Sequence, residues 1–183
     1  MGIFSLSALK KLFKKNQQKP NQDLGYLLAS ILVVYPEVSK VSYDPADGLL
    51  QLSFALEAHL SEEEFRAFVT QAVESIKTYQ QFSGFSDSRL EISIEGVDSI
   101  SFLQIRRDIE TLTRAELTII ATLVNDFFSE KLIFEMNPDE VDEEFSFAQE
   151  DKLDQIFVKL RKKKISDRVI GFRENEKVII YAR

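Results

Sequence analysis

The chain has 183 residues, of which 44% are hydrophobic and 29% charged, and its net charge is −7 at pH 7. This balance is typical of a soluble globular domain, and the absence of cysteine excludes disulfides, thiolate metal sites and thiol nucleophiles. The longest apolar run, at 24–35, is shorter than the ~20 residues that a membrane-spanning helix needs, so it predicts a buried helix.

In chain order, the spacing of apolar residues first predicts a short amphipathic helix at 3–15, with lysines on its polar side. A polar linker at 16–22 contains Pro20 and separates this helix from the next one. The second helix, at 22–35, is almost entirely apolar and ends at Pro36. We therefore expect it to lie at the centre of the fold.

Two hairpins are predicted in the middle of the chain. The first pairs 38–43 with 49–56, and the second pairs 90–94 with 100–105. Apolar and polar residues alternate along the strand at 90–94, which is typical of a half-buried strand. In the turn of the first hairpin, Gly48 is suited to a positive φ. These segments indicate an antiparallel sheet.

Each hairpin is followed by a helix that begins with a predicted capping box. Ser61 with Glu64 forms the first box, and Thr113 with Glu116 forms the second. The two passages align at an offset of 52 residues, as an internal repeat would. The alternative is that capped amphipathic helices look alike because this box recurs widely, and the sequence leaves both interpretations open.

The C-terminal third begins with acidic residues that show no periodicity, so 137–149 is predicted to be a solvated linker. A helix resumes near Glu150 with basic residues on its exposed side. A final hairpin pairs 169–172 with 178–181. Because its last strand has four consecutive apolar residues, we expect that strand to be tied into a sheet.

The predicted fold class is α+β, with an antiparallel sheet built from hairpins, capped amphipathic helices on one face, and a C-terminal helix–hairpin unit. That unit either extends the sheet or stands apart from it. The order of elements is similar to that of small acidic chaperone-like domains that dimerise and hold a partner segment, although no motif carries the likeness. Charge divides the chain into a basic amphipathic tail (1–20), an α+β core (21–134), an acidic linker (135–151) and a basic helix–hairpin (152–183).

No catalytic motif is present. The single histidine, His59, lies beside a helix start, and the six glycines form no phosphate-binding loop. Thirty acidic residues leave paired-carboxylate chemistry open without singling out two of them. The acidic run at 139–144 lacks the alternating ligands and central glycine of an EF-hand. We therefore expect no enzyme, no cofactor and no metal site.

The N-terminal helix is the first candidate contact surface. Its lysines would attract anionic headgroups while its aromatic residues enter the membrane interface. The alternatives are a solubilising tail, or a helix that docks on the acidic body through the same apolar side. The candidate residues for contact with a membrane or a partner are Phe4, Leu9, Lys10, Lys11, Phe13, Lys14 and Lys15.

The basic C-terminal unit is the second candidate surface. A helix followed by a hairpin wing would neutralise phosphates of a nucleic acid or ribosome. The acidic pI of about 4.9 and the lack of interleaved aromatic residues argue against this function, and the alternative is that the unit pairs with the acidic body. The candidate residues for polyanion contact are Arg161, Lys162, Lys163, Lys164, Arg168, Arg173 and Lys177.

We expect a non-catalytic binding or adaptor protein of the bacterial cytoplasm, peripheral to the membrane if its N-terminal helix binds there. Its expected partner is a protein or a second copy of the chain. A nucleic-acid- or ribosome-associated factor is the first alternative, and an enzyme that uses surface carboxylates is the second alternative. Convergent carboxylates in a cleft would favour the enzyme, a continuous basic face would favour the polyanion, and an open apolar sheet face would favour a protein partner or homodimer.

Overall fold

The structure, a computed structural model, describes residues 21–85, 87–134, 143–174 and 177–182, with only the helical backbone described for 143–149. The described helices and hairpins follow one another in the order that the sequence pattern predicts. The helices are α1 (Gln22–Val34), α2 (Glu62–Ser83), α3 (Arg114–Phe128) and α4 (Glu143–Arg161). The strands are β1 (Lys40–Asp44), β2 (Leu49–Leu56), β3 (Leu90–Val97), β4 (Ile100–Asp108), β5 (Val169–Glu174) and β6 (Lys177–Ala182).

All six described strands form one antiparallel sheet in the order β3-β4-β2-β1-β5-β6. Three hairpins supply the strands, and helices cover one face, which confirms the predicted α+β fold. The C-terminal hairpin extends the sheet, because β5 pairs with β1 and places Gly171 opposite Val41. The last strand is tied into the sheet through β5, and among the described strands β6 lies at the end of the order.

The core lies between this sheet and the helices. Side chains of alternate residues on each strand point to the same face, so the inner face can be followed across the sheet through Val41, Leu52 and Ile105, which are paired neighbours. Helix α1 is buried along nearly its whole length and packs on β5, β6, β1 and α4. Its burial explains why its sequence is apolar on all sides rather than on one stripe.

Gly171 allows α1 to approach the sheet closely. A Cβ atom at this position would lie 2.7 Å from Ile180 Cδ1 and 3.1 Å from Leu32 Cδ1. A Cβ atom here would therefore have to displace the side-chain ends of Ile180 and Leu32, and its absence lets α1 pack closely on β5. In the first hairpin, Gly48 adopts a positive φ of 71°, as predicted for its turn.

The two predicted capping boxes differ in the structure. Ser61 and Glu64 form both reciprocal bonds, so the first box is confirmed. Thr113 accepts a hydrogen bond from the Glu116 N–H at 3.2 Å, but the Glu116 carboxylate binds Arg107 in the core instead of returning to the cap. The prediction of a second complete box is wrong because a buried arginine is the stronger partner for that carboxylate.

Helix α4 begins at Glu143, seven residues before the predicted start at Glu150. Residues 143–151 of the predicted acidic linker are therefore helical, and 135–142 lie outside the described residues. Arg114 of α3 donates to Glu150 and Asp154 at 3.0 Å each, which holds α4 against α3.

Candidate partner-binding surface

The face of the sheet opposite the helices is the candidate functional surface, and we call it the open face. Strand pairing brings one residue from each strand into a row across it: Glu91, Arg106, Gln51, Ser42, Ile170 and Tyr181. The row is charged at the β3 end, polar in the middle and apolar at the β6 end. The open face therefore has two parts with different chemistry.

The polar part contains a shallow depression of about 180 Å³. Arg106 on its rim pairs with Asp47 and with Glu91, whose Oε2 lies 2.7 Å from the guanidinium. Arg168 on the other side pairs with Asp44. Because each arginine already has a carboxylate partner, the depression carries little net positive charge. Its lining consists of Ser42, Tyr43, Asp44, Leu49, Gln51, Arg106, Arg168 and Ile170.

The apolar part lies on β5 and β6, and we call it the apolar patch; it consists of Ile170, Phe172, Ile179 and Tyr181. Phe172 and Tyr181 are stacked, with ring centroids 5.7 Å apart and an interplanar angle of 23°. The side chain of Tyr181 is 48% exposed, and the other three are half-buried. Strands with one solvent-facing side usually carry polar residues on that side. At this corner of the sheet the residues are aliphatic and aromatic instead.

The predicted polyanion residues do not form one surface. Arg161 donates to the Leu112 carbonyl at 2.9 Å and lies 5.9 Å from the centroid of Phe85. Lys163 pairs with Asp23 at 2.5 Å, and Arg168 is on the open face. Lys177 is exposed at the far end of the C-terminal hairpin, about six strand residues from Arg168, and Lys162 and Lys164 are exposed after α4.

Arg173 was predicted to contact a polyanion, and this prediction is wrong. The residue is 3% exposed and points into the core. Its guanidinium donates to the carbonyl oxygens of Leu32, Tyr35, Pro36 and Val38, around the C-terminal end of α1. Helix ends leave carbonyl groups without helical partners, and a buried cation with several donors satisfies them. The position of Arg173 on a predicted hairpin does not indicate that it binds the end of α1.

The predicted N-terminal contact residues, Phe4, Leu9, Lys10, Lys11, Phe13, Lys14 and Lys15, all lie outside the described residues. Their contact with a membrane or partner stays a prediction. Within the part of the chain that the structure describes, no helix combines the length and the apolar character needed to cross a bilayer. The described residues likewise contain no cluster of histidine, aspartate or glutamate that could hold a metal ion.

Sequence reasoning missed the apolar patch, although a signal for it was present. The run Val178, Ile179, Ile180 and Tyr181 places apolar residues on both faces of β6, whereas a strand with one solvated face alternates. No protein-family model, curated protein or solved structure matches the chain.

Proposed function

We propose that the protein is a non-catalytic binding protein that holds an apolar segment of a protein partner on its open face. The observation that supports this proposal is the apolar patch on a sheet face that no described helix covers. Exposed apolar surface rimmed by polar residues is characteristic of protein–protein contact sites. Aromatic residues such as Phe172 and Tyr181 are also the kind that dominate binding energy in such contacts.

The polar part of the open face supports a protein partner over a small-molecule substrate. Its depression of about 180 Å³ is smaller than the ~300–1,000 Å³ of typical small-molecule sites. Ser42 and Gln51 offer hydrogen bonds beside the apolar patch, which is the arrangement of an apolar contact with a polar rim. The paired state of Arg106 and Arg168 disfavours a polyanion on the same face.

The experiment is affinity capture from an extract of the source cells, with the full chain as bait. Phe172→Lys and Tyr181→Lys place a charge in the apolar patch, and Val158→Lys is the matched control. Val158 is 49% exposed on α4, against 48% for Tyr181, but lies on the helical side of the molecule. We expect the unmodified chain and the control to capture the same protein, and both patch variants to lose it.

Equal capture by the patch variants would contradict the proposal, and so would capture that nuclease treatment abolishes. The latter result would favour the nucleic-acid-associated function instead. Circular dichroism on each variant checks that the fold is retained. Phe172 lies on β5, one strand in from the sheet edge. Loss of capture by Phe172→Lys therefore reports on the open face and not on the edge of the sheet.

A further inference from the structure

The two edges of the sheet differ in how they are protected. Edge strands expose backbone N–H and C=O groups that can pair with another strand, and proteins usually block them with charges, proline or bulges. On β3, at one edge, Glu91 and Glu95 are exposed on the open face. These carboxylates disfavour the approach of another strand.

At the other edge, β6 has no such protection along its length. All six of its residues pair in regular register with β5, so the strand has no bulge, and it contains no proline. The four residues from Val178 to Tyr181 are apolar, and the exposed charge on the strand is Lys177 at its start. Among the described residues, no strand pairs with the side of β6 that faces away from β5.

We infer that β6 pairs with β6 of a second copy of this chain, forming a twofold-symmetric dimer with one continuous sheet of twelve strands. In an antiparallel pair, residues directly opposite each other share a face of the sheet. A twofold axis through Ile179 places Ile179 opposite its own mate and Val178 opposite Ile180 of the second copy. Inner-face residues then meet inner-face residues, and outer meet outer, on both sides of the axis.

The same register supports a second copy rather than an unrelated strand, because it also gives the charged residue of the strand, Lys177, a partner and leaves Ala182 beyond the paired residues. Lys177 of each copy lies opposite Tyr181 of the other, on the open face, where an ammonium beside an aromatic ring is favourable. An axis through Ile180 would instead leave Lys177 beyond the end of the second copy's strand at Ala182. The self-complementary arrangement is what a twofold interface requires.

The dimer would also join the two apolar patches. Ile179 and Tyr181 belong to the patch, so pairing at β6 brings both copies of it together across the axis. A doubled patch would provide a larger apolar surface on the open face. The dimer itself depends on the edge of β6 and does not rest on the proposed function.

The first test is the mass of the full chain by light scattering coupled to size exclusion, over a range of concentrations. We expect about 42 kDa, twice the 21.1 kDa of one chain. Ile179→Lys places two like charges opposite each other and should return the mass to that of one chain. Ser93→Lys, on the open face of β3 at the other edge, is the control and should leave the dimer intact.

The second test uses the absence of cysteine in the chain. In Ile179→Cys, the paired Cα atoms would be about 4.5–5.5 Å apart, within the range that a disulfide bridges. We expect mild oxidation to produce a crosslinked dimer rapidly. Val97→Cys is the control, because Val97 is 49% exposed on the opposite edge strand.

Three results would overturn the inference. The first is a mass equal to that of one chain, measured on the full chain. This result contradicts the dimer even if a segment outside the described residues, or another protein, covers the edge of β6. The second is a dimer that Ile179→Lys leaves intact. The third is crosslinking of Ile179→Cys no faster than that of Val97→Cys. Each result leaves the proposed partner site on the open face unaffected, because Phe172→Lys tests that site separately.

Discussion

At the scale of single residues, charged side chains with several partners connect neighbouring elements. Glu64, in the first turn of α2, accepts hydrogen bonds from the Ser61 N–H at 2.9 Å and from Lys131 at 2.5 Å. The hydrogen bond from Lys131, followed by those from Ser61, lowers the pKa of Glu64 to about 2 from an ordinary value of 4.5. The carboxylate thus closes the capping box and also ties α2 to the segment after α3.

The low pKa of Glu64 predicts a pH dependence. Because the folded-state pKa is below the ordinary value, the ionised carboxylate stabilises the fold above pH 4.5, and this contribution is lost as pH falls toward about 2. Lys131→Met should raise the pKa of Glu64 toward 4.5, although Ser61 will keep it somewhat low. The measurement is an NMR pH titration of the Glu64 side chain.

Lys77→Met is the control for this titration, since Lys77 is exposed on the same helix. It should leave the pKa of Glu64 unchanged. A Glu64 pKa that stays near 2 in Lys131→Met would show that the cap alone, and not Lys131, holds the carboxylate ionised.

At the scale of elements, the C-terminal end of α1 depends on a residue far away in the chain. Arg173 of β5 donates to Tyr35 O at 3.1 Å and Pro36 O at 3.2 Å, and also to Leu32 O and Val38 O. Tyr35 itself is fixed by a hydrogen bond of 2.9 Å with Thr118 of α3. The end of α1 is therefore held by β5 on one side and by α3 on the other.

Replacement of Arg173 tests this role. Arg173→Met keeps much of the side-chain volume but leaves buried carbonyl groups without donors, so we expect a loss of about 1–3 kcal/mol in the free energy of unfolding. Arg173→Lys retains the charge but has fewer donors, so we expect a smaller loss in the free energy of unfolding. Urea denaturation measures the free energy, and amide exchange of residues 32–38 should increase in Arg173→Met. Unchanged exchange there would contradict the capping role.

At the scale of the whole molecule, two buried arginines connect the inner face of the sheet to the helices, one in each half. Arg173 lies in the half formed by α1 and β5. In the other half, Arg107 of β4 is fully buried and donates to Glu116 of α3 at 3.1 Å, and Gln80 of α2 donates to the same carboxylate at 3.4 Å. Burial alone would lower the pKa of Arg107, but hydrogen bonding and attraction from Glu116 and Asp108 raise it, so the guanidinium remains charged.

The pair of Arg107 and Glu116 therefore holds both helices to the sheet, and its disruption should affect global stability. Glu116→Gln leaves Arg107 buried with an incomplete set of partners, and we expect a loss of about 3–5 kcal/mol in the free energy of unfolding. The double variant Arg107→Met with Glu116→Leu removes both charges, and should recover most of that loss. Both are measured by urea denaturation.

A double variant no more stable than Glu116→Gln would show that the network stabilises through its hydrogen bonds to Asp108 and Thr111, and not through the charge pair. A Glu116→Gln variant as stable as the unmodified chain would contradict the prediction altogether.

Local pattern was enough to predict the described helices and strands of this protein, apart from the first two turns of α4. The apolar run of α1, the Ser61 box and the turn at Gly48 are set by residues within a few positions of each other, so the helices, the hairpins and the α+β class followed from the sequence. The roles of Arg173 and Glu116 depend on partners in other elements; Arg173 meets Leu32 across 141 residues. The apolar patch also depends on long-range pairing. The register between β5 and β1 decides which side chains of β5 and β6 face away from the helices. Local spacing determines secondary structure, whereas long-range strand pairing decides which residues are buried and which remain available to a partner.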